Sequence, residues 1–271
     1  MEPSRSKLSR VRYWIVCGLL LGSARPMQAQ FGPLVSPYAV PQAKTQQELD
    51  DYLSVVGAPN PASTVRKVEE FIAKYPQSEL QAFAYQYQMA AYQQLNYFEG
   101  VLRAGHRALD LQPGNVNTLL TLAAAIPDGA TGRNDEADLM RQAEEYAHRA
   151  LQGIATIQIP KQISLGEWEK MQAKLVAQAH EALGHVATKR GDLPRAITEL
   201  ELAAYGSPAP NGAYFFRLGV AYGLAGEAEP AGRALHRAAD LGPEAIRQRS
   251  LDVIQQLKLK GEIAPPRSQE R

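Results

Sequence analysis

The chain has 271 residues, of which 45% are hydrophobic, 7% aromatic and 21% charged. That length suits one extended domain or two small compact ones, and an apolar content dominated by Ala and Leu suits close-packed helices better than a β-sandwich. The formal net charge is +1, but residues 1–29 hold five basic side chains against Glu2 alone, which leaves 24 basic and 27 acidic residues, a net charge of −3, in the remainder. A mildly acidic body lacks the positive footprint of a nucleic-acid binder, so no DNA or RNA partner is expected.

The first 29 residues read as a secretory signal peptide of a bacterial chain. Lys7 to Arg12 form a positive n-region, and Tyr13 to Gly22 form an apolar run. At about ten residues the run is well short of the roughly 20 that span a bilayer, so no membrane span is expected in the mature chain. Met27-Gln28-Ala29 offers a cleavage site before Gln30, with Gly22-Ser23-Ala24 as the alternative. The expected location is therefore periplasmic or secreted. Cys17, the only cysteine, lies inside the apolar run. The mature chain then has no disulfide and depends on packing alone. Residues 30–44 are Pro-rich and read as a disordered linker.

A degenerate helix pair follows over residues 45–79. Thr45-x-x-Glu48 is a capping-box pattern, and Leu49, Tyr52, Leu53 and Val56 recur at i, i+3, i+4, i+7. Asn60-Pro61 opens a second helix whose apolar residues are Val65, Val68, Phe71, Ile72 and Tyr75. A unit spans 82–115, with Tyr85, Tyr92, Ala108 and Pro113 as its markers. An interrupted unit spans 116–159: a helix to about Ile126, a polar loop from Pro127 to Asp135, then a helix carrying Ala143, Ala147 and Ala150. Ser164-x-x-Glu167, another capping box, opens a helix to about Arg190, two turns longer than its unit (164–210) needs. Trp168, Met171 and Leu175 on the extra turns fill the gap left by the interruption. A last unit spans 212–245, a closing helix 244–260, and a charged, Pro-containing tail 261–271 reads as disordered.

The repeat shows most clearly in the last two units. Counted from Ala177, the seventh, eighth, fifteenth, twentieth, twenty-fourth, twenty-seventh and thirty-second places hold Leu183, Gly184, Gly191, Ala196, Leu200, Ala203 and Pro208. Counted from Gly212, the same places hold Leu218, Gly219, Gly226, Ala231, Leu235, Ala238 and Pro243. Small residues at the eighth and twentieth places let two helix backbones approach. Glycine at the fifteenth suits a left-handed helix end, and proline at the thirty-second stops the second helix. This pattern resembles the tetratricopeptide-repeat (TPR) family, whose unit is a helix–turn–helix of about 34 residues. The resemblance implies an all-α fold: a right-handed superhelix (TPR solenoid) of about five helix pairs plus a C-terminal capping helix.

The resemblance also implies a function. In that family the second, fifth, ninth, twelfth and thirteenth places of each first helix line a concave groove that binds protein or peptide. Carried over, these are Phe83, Gln86, Ala90, Gln93 and Gln94; Gln178, Glu181, His185, Thr188 and Lys189; and Ala213, Phe216, Val220, Gly223 and Leu224. The chaperone-binding branch clamps a peptide carboxylate with Lys and Asn. Gln86 and Ala90 stand at those places, so that specificity does not carry over. Phe216, Val220 and Leu224, four apart, form an apolar stripe that the closing helix would pack behind rather than cover.

Chemistry is not expected. His180 and His185 of the His-Glu-Ala-Leu-Gly-His run are i, i+5, about 140° apart on a helix, whereas a zinc-protease pair is i, i+4 on one face. His180 fills a place where a packed core residue is usual. His106, His148 and His236 recur at the twenty-fifth place of three units, as copies of a module on a polar outer face. Glu144-Glu145 and Glu199-x-Glu201 read as solvated charges. No nucleophile-with-base constellation, phosphate loop or dinucleotide fingerprint is present, so neither metal, cofactor nor catalytic residue is expected. The export reading is tested by N-terminal sequencing of protein from the native envelope. The mature chain should lack residues 1–29 or 1–24, and an intact Met1 on cytosolic material would refute it.

Overall fold

The computed structural model describes residues 42–157 and 163–259. The expected signal peptide, most of the expected 30–44 linker and the expected 261–271 tail lie outside them. Eleven α-helices, and no strand, occur among the described residues: α1 (Gln46–Val56), α2 (Pro61–Lys74), α3 (Gln81–Gln94), α4 (Phe98–Leu111), α5 (Val116–Gly129), α6 (Glu136–Thr156), α7 (Leu165–Arg190), α8 (Leu193–Gly206), α9 (Gly212–Leu224), α10 (Ala228–Leu241) and α11 (Glu244–Leu259). Each packs chiefly on its chain neighbours, which makes an all-α solenoid of five helix pairs closed by α11.

The helix starts follow capping chemistry. Asn60, Asn115, Asp192 and Asn211 each accept a backbone N–H of the first turn with the side chain. Ser164 and Glu167 close a full reciprocal capping box. At α1 the box is offset. Thr45 accepts from the Glu48 N–H at 3.1 Å, but the Glu48 carboxylate accepts from the Lys44 N–H at 2.7 Å rather than from Thr45.

Three of the first helices, α3, α7 and α9, end as the repeat requires. Gly191 and Gly226 have φ of 78° and 79°, and Asn96, at the corresponding fifteenth place of the 82–115 unit, has φ of 52°. Asn is the side chain that best tolerates this region after Gly. A Cβ added to Gly184 would lie 2.5 Å from the Leu200 side chain, and one on Gly219 would lie 2.6 Å from Leu235. The eighth place of one helix is thus filled by the twenty-fourth-place leucine of its partner, in both units alike.

The interrupted unit departs from the sequence reading. Helix α5 does not stop at Ile126 but runs through Pro127 to Gly129. Pro127 cannot donate to the Ala123 carbonyl, but it is buried itself, and the Ala130 N–H closes the next turn on Ile126 at 2.8 Å. Helices α6 and α7 are long, at 21 and 26 residues, and pack together. Trp168 and Leu175 on the added turns are buried, and the Gln172 amide reaches the Ile154 carbonyl at 3.5 Å. The apolar pattern of α1 also differs from expectation. Val55 is buried and Tyr52 packs on Phe71, but Leu49, Leu53 and Val56 are exposed.

Two glycines of α9 give a matched test of the packing. Gly219→Leu must overpack against Leu235 and should cost about 1–3 kcal/mol or more. Gly223→Ala, whose new Cβ would meet Leu257 at an ordinary 3.6 Å, should be neutral or stabilise by up to about 1 kcal/mol. Urea unfolding of both variants decides. Equal midpoints for Gly219→Leu and the parent would overturn the register.

Candidate functional site: the inner helix layer

The odd-numbered helices form one layer of the solenoid and the even-numbered helices the other. Within the odd layer α1 touches α3, and α5, α7, α9 and α11 touch in series, while no even-numbered pair packs comparably among the described residues. A layer whose members crowd together lies on the inside of the curve. The expected groove residues of α3, α7 and α9 therefore share the inner layer.

At its centre is a charged cluster spanning three successive odd helices. Asp128, in the last turn of α5, lies 3.2 Å from His185 Nε2 and 3.3 Å from Lys189 Nζ, both on α7. Arg217 of α9 lies 3.6 Å from Asp128 and places Nε 2.5 Å from Glu181 Oε1. Its Nη1 is also 2.8 Å from the His185 ring nitrogens. A guanidinium only donates, so one ring nitrogen must accept. With Nε2–H donating to Asp128, the acceptor is Nδ1, an assignment that follows from the network. The imidazole is then neutral, and two carboxylates balance two cations.

The electrostatics agree. Burial, then the Arg217 charge, holds the His185 pKa below its ordinary value against the pull of Asp128 and Glu181. Burial alone would raise Asp128. The bond from His185 and the charges of Arg217 and Lys189 outweigh it and hold the carboxyl at about 2.

Two further pairs replace charges expected to be solvated. Glu144 of α6 binds Arg190 at 2.5 Å and Arg195 at 2.6 Å, joining α6, α7 and α8. His180 is half-buried and bonded to Glu199 of α8 at 2.7 Å, not packed as an apolar core residue. His180 and His185 thus face different neighbours. His148 and His236 are exposed, whereas His106 is half-buried against the Tyr146 ring.

The other expected groove residues fall into two sets. On α9, Phe215 is fully buried, so the register is right, but Phe216 packs in part against the cores shared by α9, α10 and α11. Val220 is half-buried, and only Leu224, 47% exposed, is open. The stripe is therefore narrower than its spacing suggested, because α11 reaches α9. On α3, Ala90 and Gln93 are exposed, and Gln86 is half-buried with an Nε2 that has no partner among the described residues. Gln178 of α7 is half-buried. Helices α3 and α5 do not pack on each other as the other odd neighbours do. On α5, Asn117, Thr121 and Ala124 are half-buried along one face.

Asp128 and Arg217 were absent from the expected site. Leu122 and Ala123 repeat the seventh- and eighth-place pair of the later units, which puts Asp128 at a thirteenth place, level with Lys189. Arg217, at a sixth place, had no such marker.

The sequence matches no family model and no curated protein. Similar solved structures include BtubC (BKLC) from P. vanneervenii, 16% identical over 82% of either chain with a TM-score of 0.48. Another is the TPR domain of P58(IPK), 13% identical over 81% of this chain and 66% of that one, with a TM-score of 0.32. Likeness this distant says nothing about activity or partner.

The cluster sets a pH dependence. A group with a lower pKa in the folded chain is protonated more readily in the unfolded one, so acid favours unfolding. The contributions of His185 and Asp128 are complete at neutral pH. His185 loses its share as pH falls below about 6.5, the ordinary histidine value, and Asp128 loses its share between about 4 and its folded value of about 2. Unfolding midpoints should fall from pH 7.5 to 5.5, and less so in His185→Gln. Asp128→Ala, which strands Lys189 and leaves Arg217 to Glu181 alone, should cost about 3 kcal/mol at pH 7.5. A flat pH profile in the parent would refute the assignment.

Proposed function

We propose that the protein is a non-enzymatic interaction scaffold of the bacterial envelope, holding an extended or helical segment of a partner protein in its inner groove. The observation that carries this reading is the polar and small side chains of the inner helices α3 and α5, which do not pack on each other as the other odd neighbours do. The exposed Ala90 and Gln93 of α3 and the half-buried Asn117 and Thr121 of α5 offer small residues and hydrogen-bonding groups. Such a lining suits a backbone laid along the groove, whose N–H and C=O groups need partners. Leu224 adds an apolar contact at the far end. Glu181, His185 and Lys189 are committed to the charged cluster and serve by holding three inner helices at a set spacing. They support the groove from beneath.

The envelope location rests on the n-region, apolar run and small residues of the first 29 positions. No helix among the described residues is long and apolar enough to cross a membrane. A catalytic role gains no support from the Asp128–His185 pair. Its second ring nitrogen faces a guanidinium where a nucleophile would have to stand. A second reading, a self-assembling structural protein or an accessory subunit of an envelope enzyme or transporter, draws on the exposed apolar face of α1. A terminal helix of a monomeric solenoid is normally polar outside.

A photo-crosslinking residue placed in turn at Gln93, at Leu224 and at the exposed even-layer position His148 tests the groove. The two groove positions should yield the same adduct with a partner protein, and His148 none. Gln93→Arg should weaken capture by about tenfold or more without loss of helicity. Adducts from His148 alone, or only with second copies of the chain, would sink the groove reading.

A further inference from the structure

The contact that spaces α5, α7 and α9 is built around an imidazole, so its polarity turns on one proton. From α5 the His185 ring faces Asp128 at 3.2 Å, and on its own helix it has Glu181 and Lys189. From α9 it meets Arg217, whose Nη1 lies 2.8 Å from the ring nitrogens. Tyr214, also on α9, stands within the field of Glu181. The charges that α6 and α8 bring to α7 are matched elsewhere, Glu144 with Arg190 and Arg195, and Glu199 with His180. The ring is buried, so water screens it little.

We propose that His185 is a proton-operated latch for the inner groove, closed by a neutral imidazole and released when the ring takes up a second proton. This rests on the groove reading, whose regulation it names. In the closed state Nδ1 accepts from Arg217 while Nε2–H donates to Asp128, so one ring bridges α9 to α5. Protonation turns Nδ1 into a donor aimed at a donor. It also sets a third cation against two carboxylates.

Which contact yields is decided by the partners. The bond to Asp128 gains from the new charge, whereas the bond from Arg217 is lost. Arg217 keeps Glu181, at 2.5 Å. On its other side α9 stays packed on α8, where Phe215 and Leu218 are fully buried in a core shared with Leu200. The last repeat therefore pivots on that seam and does not detach, and Leu224 moves away from the polar face of α5. A partner segment that touches α3, α5 and Leu224 together needs them at a fixed spacing. The groove holds it at neutral pH and loosens in mild acid.

The sign follows from linkage. Closed, the ring resists protonation, because burial and then the Arg217 charge lower its pKa. Open, it titrates as an ordinary histidine near 6.5. Acid thus favours the open form, and the ratio of open to closed should rise by about tenfold between pH 7.5 and 5.5.

Spin labels across the groove test the latch. In the variant Cys17→Ser, Gln93→Cys, Leu224→Cys, both labels sit at exposed positions, and electron–electron double resonance reads the distance between them. A second, longer distance should grow by that factor at pH 5.5, with helicity by circular dichroism unchanged. His185→Gln supplies an acceptor and a donor but takes up no proton, so its distance should not respond to pH. Arg217→Gln lacks the tie at any pH and should show the longer distance at both values. His180→Gln should respond as the parent does. One unchanged distance in the parent, a response that persists in His185→Gln or vanishes in His180→Gln, or a short distance at both pH values in Arg217→Gln would overturn the inference. So would loss of helicity at pH 5.5, since acid would then unfold the chain and not open it. The distance needs no partner. A fixed one condemns the latch alone, whereas missing crosslinks at Gln93 and Leu224 condemn the groove alone.

Discussion

The inner curve of this solenoid depends on one charged contact, Asp128 with His185, Lys189 and Arg217. The need for it follows from the interrupted unit. There the loop between the paired helices is enlarged, no left-handed residue stands at the fifteenth place (Ala130 is right-handed), and Gly132 takes the positive φ, of 79°, two residues later. A pair with a loosened turn constrains its neighbours less. Ion pairs between successive inner helices replace part of that constraint, because their distances are short and their partners sit on three separate elements. Glu181 and His185 are buried and Asp128, Lys189 and Arg217 half-buried, and the desolvation this entails is bearable because the cluster is neutral as a whole and each carboxylate has a matched donor. A neutral imidazole is essential to the balance. Were it charged, three cations would face two carboxylates.

Most of the helices were legible in the sequence because the features that define them are local. Proline stops, the glycines at left-handed ends, and capping residues act within a few positions, so their spacing reports the backbone directly. The repeat register followed from small residues, whose meaning is steric and which Gly184 and Gly219 bear out against Leu200 and Leu235. The charged cluster was half legible. Glu181, His185 and Lys189 lie four apart and were placed on one face, but their partners come from other repeats. Pro127 hid Asp128, because a proline is rightly read as a stop when nothing shows that tertiary burial will carry the helix past it. Arg217 looked like any surface arginine.

The fate of the apolar stripes teaches a related lesson. Spacing tells which side chains share a face, not what stands opposite. In α9 the expected open stripe is partly closed by α11, and in α1 an expected buried face is divided, with Tyr52 and Val55 turned inward and Leu49, Leu53 and Val56 outward. Both outcomes are decided by neighbours distant in sequence. The same holds for α3 and α5, two inner helices that do not pack on each other as the other odd neighbours do.

The length of α7 has a consequence for how the molecule comes apart. Its 26 residues supply Leu175, Ala179, Ala182, Leu183 and Val186 to the large core around α5 and α6, and Ala177 and Ala187 to the next core around α8 and α9. A chain of repeats ordinarily behaves like beads coupled only to their neighbours, so it can melt one bead at a time. Here a single rigid rod is shared by two beads, and neither can melt without loosening the other. The region from α4 to α10 should therefore behave as one cooperative block. The pair α1–α2, with its separate small core of Val55, Val68, Phe71, Leu80 and Ala84, is left as the fraying end, where thermal opening and proteolytic attack begin.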